Sequence, residues 1–100
     1  MQVVKKDNSV EPYNYERDTP AWLKAKIDSM SNDNFYVSSK AYRHTWNYNY
    51  VYYIRVGLSS CMYCEVYDEN GGKIKFSDTN MAEDYVKNRK NEVLIWEWKE

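Results

Sequence analysis

The chain has 100 residues, which is the usual size of one domain and too short to enclose two separate hydrophobic cores. Hydrophobic residues make up 43% and charged residues 29%, a balance that is typical of a folded globular domain and excludes a disordered chain. The formal net charge of −1 and the pI near 5.8 offer no attraction for phosphate backbones, so composition argues against nucleic-acid binding.

The first 18 residues are polar and turn-prone and show no sustained period, so they predict an irregular N-terminal arm, 1–18, before a single domain, 19–100. Tyr13 and Tyr15 could pack their rings on the domain and hold part of this arm. The alternative is an exposed, flexible leader.

A helix is predicted from Thr19 and Pro20, because a threonine hydroxyl can cap free N–H groups and proline loses no hydrogen bond at the first helical position. Helical spacing of apolar side chains predicts that one face of this helix packs on the domain. These side chains are Trp22, Leu23, Ile27 and Met30.

Several β-strands follow in the sequence. From Phe35 onward a period of two predicts a strand that places Tyr42, His44, Trp46 and Tyr48 on one face. A turn at residues 47–49 leads to a second strand, and two further strands and a hairpin turn come next. They are predicted at residues 50–56, 61–67 and 73–76, with the hairpin turn at 68–72.

A second short helix is predicted after Ser77, Asp78 or Thr79, each of which can cap its first turn, and residues 93–98 predict a last strand. The order α-β-β-β-β-α-β with short connections predicts an α+β fold, a twisted antiparallel β-meander with the first helix on one face. Strand alternation predicts a core, with the risk of a one-residue slip on each strand. Its members are Leu23, Ile27, Trp46, Tyr52, Ile54, Met62, Val66, Ile74, Phe76, Leu94 and Trp96.

Cys61 and Cys64 have the spacing of thiol-redox sites, which need a helix N-terminus that lowers the thiol pKa. The predicted strand is a different setting, because three extended residues span about 10 Å and a disulfide needs Cα atoms within about 7 Å. The two cysteines can pair only if the chain turns between them. Spacing favours two unpaired thiols, and a structural disulfide and a redox pair stay as alternatives.

No set of residues in the chain forms a recognisable catalytic or metal-binding motif. Zinc needs three or four ligands, and beyond the two cysteines the chain offers one histidine, His44, which is predicted to share a strand face with aromatic residues. Ser59 and Ser60 lie in no Gly-x-Ser-x-Gly setting, and three glycines supply no phosphate-binding loop. We therefore predict no catalytic residue, no metal and no cofactor, and a protein that is not an enzyme.

The chain is rich in tyrosine, with 11 residues, and these suit half-buried sheets and contact surfaces. If the apolar residues of the second and third strands point to the core, the opposite face presents polar and aromatic side chains. They are Tyr53, Arg55, Tyr63, Glu65 and Tyr67. Tyrosine and arginine are common in contact surfaces, so Tyr53, Arg55, Tyr63 and Tyr67 are the predicted ligand-binding residues. The alternative is a purely structural face, either solvated and stabilised by cross-strand tyrosine pairs or lying under the arm or the second helix.

Three segments together are similar to a family of small exported bacterial domains of unknown function. The segments are Val-Tyr-Tyr-Ile at 51–54, the two cysteines followed by Val-Tyr-Asp-Glu-Asn-Gly-Gly-Lys-Ile at 66–74, and Pro-Ala-Trp-Leu-Lys at 20–24. The resemblance covers about half the chain, and the family's adjacent cysteines and Gly-rich ending are absent. It implies an extracytoplasmic location in a Gram-negative anaerobe, as a processed lipoprotein whose lipid anchor belongs to the precursor. In that location a disulfide between the two cysteines is more plausible than composition alone indicates.

These observations favour a non-enzymatic, exported binding or protein-interaction domain that uses the aromatic sheet face to contact a protein or a carbohydrate. One alternative is a thiol-redox protein that uses Cys61 and Cys64. Another is a structural subunit of a homo-oligomer, with exposed tyrosines as its interface. No membrane-spanning segment is predicted, because no apolar run approaches the ~18 to 20 residues that a span needs.

Overall fold

The computed structural model describes residues 12–59 and 63–99. Their helices and strands form one four-stranded sheet with a helix on each face. In chain order the elements are α1 (Tyr15–Asp18), α2 (Ala21–Ser31), a 3₁₀ turn (Asn34–Tyr36), β1 (Lys40–Trp46), β2 (Asn49–Arg55), β3 (Val66–Tyr67), α3 (Thr79–Asn88) and β4 (Lys90–Glu97). Within the described ranges, no helix is long and apolar enough to cross a membrane.

The sheet is antiparallel throughout, with the strand order β3-β2-β1-β4. The predicted α+β class and antiparallel sheet are confirmed. The first three strands form a meander, and the chain then crosses through α3 so that β4 pairs with β1 at the other edge. This crossover places α3 on the sheet face opposite α2.

The turn predicted at 47–49 is present and is a two-residue hairpin between β1 and β2, so Tyr48 lies in the turn and not on the strand face predicted for it. Trp46 pairs with Asn49, and the two residues between them, Asn47 and Tyr48, have φ values of 52° and 68°. Positive φ at both central positions is the geometry of a type I′ turn, whose twist matches that of the flanking strands. Tyr48 therefore occupies a conformation that few bulky residues adopt.

Helix α2 begins one residue later than predicted, and its start is not capped by Thr19. Pro20 is the N-cap and makes no side-chain hydrogen bond there. The Thr19 hydroxyl instead forms a 2.7 Å hydrogen bond with the Tyr13 hydroxyl, at the end of α1. Of the two interpretations of the arm, packing on the domain is the one observed for the rings of Tyr13 and Tyr15, and the short helix α1 replaces the irregular chain predicted for 15–18.

Strand β1 starts five residues after its predicted beginning at Phe35. Asp33 caps a 3₁₀ turn by accepting a hydrogen bond from the Phe35 N–H, and Ser38 has a φ of 66°. Aspartate side chains compete for backbone N–H groups in this way and start turns. The apparent alternation before Lys40 is thus a turn and not a strand.

The predicted third and fourth strands are much shorter in the structure. Of residues 61–67, the described part forms a strand only at Val66–Tyr67, and residues 73–76 contribute a single bridge between Tyr67 and Lys73. The predicted hairpin turn at 68–72 is present. The Asp68 carboxylate stabilises it by accepting hydrogen bonds from backbone N–H groups within the turn. The last strand begins at Lys90, three residues earlier than predicted.

The core consists of two clusters, one on each face of the sheet. The buried residues on the α2 side are Leu23, Ile27, Met30, Ala41, Tyr52, Ile54 and Tyr67. Those on the α3 side are Trp46, Val51, Tyr53, Val66 and Tyr85. Both faces of β2 are therefore buried. The predicted core members Ile74, Phe76 and Trp96 are half-buried.

Leu94 does not belong to the core, contrary to the prediction, and its side chain is 50% exposed. The pairing between β1 and β4 shifts at this point, since Ala41 faces Trp96 while the next residue, Tyr42, faces Leu94. One extra residue in β4 forms a bulge, and a bulge breaks the alternation on which the prediction depended. Met62, another predicted core residue, lies outside the described residues.

Candidate functional site

The four side chains predicted to form one binding face do not share a face. In the β2–β3 ladder Tyr52 pairs with Tyr67, and Tyr53 pairs with Val66, so Tyr53 and Tyr67 point to opposite sides of the sheet. Both are buried, with exposed fractions of 6% and 7%. The face assignment was wrong for Tyr67, because the register of β3 turns it towards α2, whereas Tyr53 lies under α3, as the structural alternative allowed.

Each of these two tyrosines packs against other rings. The Tyr53 ring lies 5.6 Å from that of Tyr63, which is half-buried, and the Tyr67 ring lies 5.6 Å from that of Trp22. Burial raises the pKa of both phenols above the ordinary value. Arg55, the fourth predicted residue, is exposed at the end of β2. Tyr53 and Tyr67 thus contribute packing, and only Arg55 is widely accessible.

Cys64 is disulfide-bonded, which is contrary to the unpaired thiol that spacing favoured. Cys61, the second cysteine of the chain, lies outside the described residues. Residues 63–65 form a turn and a bend, so the extended geometry that argued against pairing is absent there. Cys64 is exposed and lies in a bend, and none of the described helices begins beside it. The described chain around Cys64 therefore lacks the helix N-terminus that lowers the pKa of a redox-active thiol.

A concave surface lies where the β1–β2 hairpin meets the turn at 68–70. Two adjoining concavities of about 350 Å³ and 390 Å³ share Asn49, Tyr50 and Glu69 in their walls. Both volumes are within the range of small-ligand sites. We call this surface the hairpin groove and define it by six residues. They are Trp46, Tyr48, Asn49, Tyr50, Asp68 and Glu69.

The groove exists because β3 ends early. After Tyr67 the chain turns away, so the first residues of β2 have no neighbouring strand on that side. The Tyr50 N–H donates instead to the Glu69 carboxylate, at 3.1 Å. The Glu69 carbonyl in turn accepts a 2.9 Å hydrogen bond from the Trp22 indole. The wall of the groove is thereby held by α2 on one side and by β2 on the other.

The charged side chains among the groove-lining residues are two carboxylates, Asp68 and Glu69. The Asp68 Oδ1 atom accepts hydrogen bonds of 2.8 Å and 2.9 Å from the N–H groups of Asn70 and Gly72, which fixes its position in the turn. Both carboxylates are therefore held in place before any ligand arrives, which lowers the entropy lost on binding.

Two tyrosines present their rings at the groove. Tyr48 lies at the tip of the hairpin and is fully exposed, and Tyr50 is about half exposed. The Arg43 guanidinium lies 4.1 Å from the centre of the Tyr50 ring and 4.9 Å from that of Tyr13. This cation–π stack orders Tyr50 from the α2 side of the sheet.

His44 forms a second polar arrangement, which is buried beneath α3. Its Nδ1 atom lies 2.9 Å from the Tyr85 hydroxyl, and its Nε2 atom lies 2.9 Å from the Glu92 carboxylate. The prediction that the ring shares a strand face with Tyr42 and Trp46 is confirmed in the register of β1. In the described part of the chain, no group of three or more His, Cys, Asp or Glu residues could hold a metal ion.

Sequence reasoning missed the hairpin groove, although a signal for it was present. The segment 47–50 alternates asparagine and tyrosine, a composition that is typical of contact loops, but the predictions for it are a turn at 47–49, a strand face for Tyr48 and the start of the second strand at Tyr50. The groove depends on the early end of β3, which no local sequence pattern predicts.

Comparisons of the chain with protein-family models, with curated proteins and with solved structures found no match.

Proposed function

We propose that this protein is an exported, non-enzymatic binding domain and that the hairpin groove is its contact site. The observation that carries the proposal is the exposure of Tyr48 and Tyr50 beside a concave, carboxylate-lined wall. Exposed aromatic rings next to ordered polar groups are characteristic of contact surfaces. The proposal keeps the class of function expected from the sequence and moves its site from the sheet face to the groove.

The strained position of Tyr48 supports a role in binding. Its φ of 68° is unfavourable for a bulky residue, and its ring gains no packing in return because it is fully exposed. Asparagine or glycine at this position would form the same turn at lower cost. A tyrosine here therefore contributes little to folding and offers a large, rigid surface to a partner.

The ligand class that fits the groove best is an uncharged, hydroxyl-rich chain, that is, a carbohydrate. Tyrosine rings pack against the C–H faces of sugar rings, while carboxylates and carboxamides such as Asn49 bond to sugar hydroxyls. Asp68 and Glu69 would repel an anionic ligand, and the nearby Arg43 guanidinium is stacked on the rings of Tyr50 and Tyr13 and is not among the lining residues. A protein partner with a neutral or basic segment is the second outcome that the experiment below distinguishes.

Export is part of the proposal and is supported by the disulfide at Cys64. Disulfides persist in oxidising compartments and are rare in the cytosol. The resemblance to small exported bacterial domains stays a prediction that agrees with it.

The test is a binding titration of the purified domain against a panel of defined oligosaccharides, with a peptide panel in parallel. Tyr48→Asn removes the ring and relieves the unfavourable φ, so this variant should fold at least as well as the wild type. We expect it to bind the ligand at least about tenfold more weakly, which corresponds to about 1.4 kcal/mol.

The matched control is Phe35→Ser, which removes another exposed aromatic ring that is not among the groove-lining residues. It should leave affinity unchanged. Equal binding by the wild type and both variants would show that the groove is not the site. Binding of peptides alone, with the same loss in Tyr48→Asn, would keep the site and replace carbohydrate with protein as the ligand class.

The disulfide at Cys64 also favours one alternative, a thiol-redox protein. That function requires the bond to open and close readily, whereas a structural disulfide resists reduction. Equilibration of the domain with glutathione buffers, followed by mass spectrometry of alkylated thiols, measures the reduction potential. A potential below about −300 mV would identify a structural bond and remove the alternative.

A further inference from the structure

The buried arrangement around His44 joins three elements through one ring. Tyr85 belongs to α3, His44 to β1 and Glu92 to β4, and the two hydrogen bonds of the ring are each 2.9 Å long. The exposed fraction of His44 is 2% and Tyr85 is completely buried, whereas the Glu92 side chain is 59% exposed. Removing either contact leaves a buried polar atom without a partner, which is costly.

A single neutral form of His44 satisfies both contacts. An ionised carboxylate can only accept, so Nε2 bears the hydrogen and donates to Glu92. Nδ1 is then left with its lone pair and accepts from the Tyr85 hydroxyl. A protonated ring would donate from both nitrogens, and the Tyr85 hydroxyl would have to turn its own hydrogen away within a buried site.

The surroundings of the ring also favour its neutral form. The titratable and charged groups that face it are Tyr42 of β1, Tyr53 of β2, Tyr85 of α3, Arg89 between α3 and β4, and Glu92 of β4. The Arg89 guanidinium lies 5.0 Å from the centre of the Tyr85 ring, and its Nη1 atom is buried without a hydrogen-bond partner. A second cation beside it would be unfavourable.

Burial is the largest influence on the pKa of His44 and lowers it below the ordinary value of 6.5. The hydrogen bond to Glu92 acts in the opposite direction, and Arg89 adds to the lowering. The lowered pKa of His44 and the hydrogen-bond geometry therefore lead to the same conclusion, that the folded domain favours the neutral ring over the charged one.

We propose that His44 is a pH-sensitive latch whose neutral ring holds α3 against the sheet and whose protonation in mild acid releases α3. A state in which α3 has moved away exposes the ring to water and binds a proton more readily than the closed state. Acid therefore favours the open state by linkage, whereas neutral pH favours the closed one. Another polar contact between α3 and β1, from the Trp46 indole to Asp84, does not involve a histidine.

The experiment measures amide hydrogen exchange of the wild-type domain at about pH 7.5 and about pH 5, on either side of the ordinary histidine value of about 6.5 and above the ordinary range of carboxylates. Rates are corrected for the intrinsic pH dependence of exchange. We expect protection of residues 79–88 to fall in acid, by up to about tenfold for each unit that separates the pKa of the latched ring from that of the open ring. Protection in β1 and β2 should fall less.

His44 is the single histidine of the chain, so its NMR titration gives one unambiguous midpoint. A midpoint at or above about 6.5 would overturn the proposal, as would equal losses of protection in α3 and in β1–β2. His44→Gln cannot titrate and should abolish the acid-induced difference. If this variant does not fold, Tyr85→Phe, which removes one hydroxyl, should reduce protection of α3 already at about pH 7.5. Unchanged protection in Tyr85→Phe would also count against the latch.

Discussion

Gly71 combines a φ of 90° with close packing against the indole of Trp22, whose nearest atom is 3.0 Å from where a Cβ would lie. Gly71→Ala should therefore destabilise the fold by about 1–3 kcal/mol, because alanine is strained at this φ and meets the ring. Urea unfolding monitored by tryptophan fluorescence measures the change.

The neighbouring Asn70 supplies the control for this substitution. Its side chain is exposed, and only its backbone N–H bonds to Asp68, so Asn70→Ala should change stability by less than about 0.5 kcal/mol. A loss for Gly71→Ala no larger than for Asn70→Ala would mean that the turn can relax around the added methyl group.

At the scale of single elements, helix α3 is stabilised at its first turn by a capping side chain. Asp78 is its N-cap and accepts a 2.9 Å hydrogen bond from the Met81 N–H. Asp78→Ala should cost about 0.5–2 kcal/mol, whereas Asp78→Asn should retain most of the stability because asparagine caps almost as well. Thermal and urea unfolding of both variants test the difference. Equal losses in the two would show that the charge of Asp78 matters and the cap itself does not.

Strand β2 illustrates how burial on both faces defeats a pattern-based prediction. Val51, Tyr52, Tyr53 and Ile54 are all buried, so no alternation of polar and apolar residues exists to identify the core side. Continuous apolar and aromatic runs are typical of strands covered on both faces. The run is visible in the sequence, but it does not by itself distinguish a solvated face from one that lies under the second helix, as the structure has it.

At the scale of the whole molecule, buried tyrosines make the fold sensitive to alkali. Burial raises the pKa of Tyr52 and of Tyr85 to about 12. The folded state therefore holds these protons more tightly than the unfolded state, in which the value is near 10. The contribution of these two phenols to the free energy of unfolding is fully present below about pH 10 and is lost as the pH rises towards about 12.

A spectrophotometric titration of tyrosinate together with circular dichroism tests this dependence. Ionisation of the buried phenols should coincide with unfolding. Tyr85→Phe removes one of them and should lose less stability than the wild type between about pH 10 and pH 12. Ionisation of all tyrosines near their ordinary value in a folded protein would contradict the prediction.

Local signals predicted much of the architecture. The turn at 68–72, both long helices and the antiparallel sheet have residues whose intrinsic preferences match the structure, and in the turn at 47–49 Asn47 favours the conformation that strains Tyr48. The errors lie where side chains compete with local patterns, as Asp33 does before β1, or where a bulge changes the register, as it does near Leu94.

The candidate site was far less predictable than the fold. Tyr53 and Tyr67 looked alike in sequence, yet they face different helices, and the groove depends on where β3 stops. The role of His44 also requires Tyr85 and Glu92, which are 41 and 48 residues away along the chain. Such contacts have no periodic signature, since they connect elements that are adjacent only in the folded sheet.

The sequence by itself determined the size, the α+β class and the turns at 47–49 and 68–72, because composition and local backbone preferences act over a few residues. The tertiary structure alone decided which faces are buried, where the groove lies and which groups surround His44. The physical reason is that the crossover of α3 covers a second face of the sheet, and burial there is a property of the assembled elements and not of any one of them.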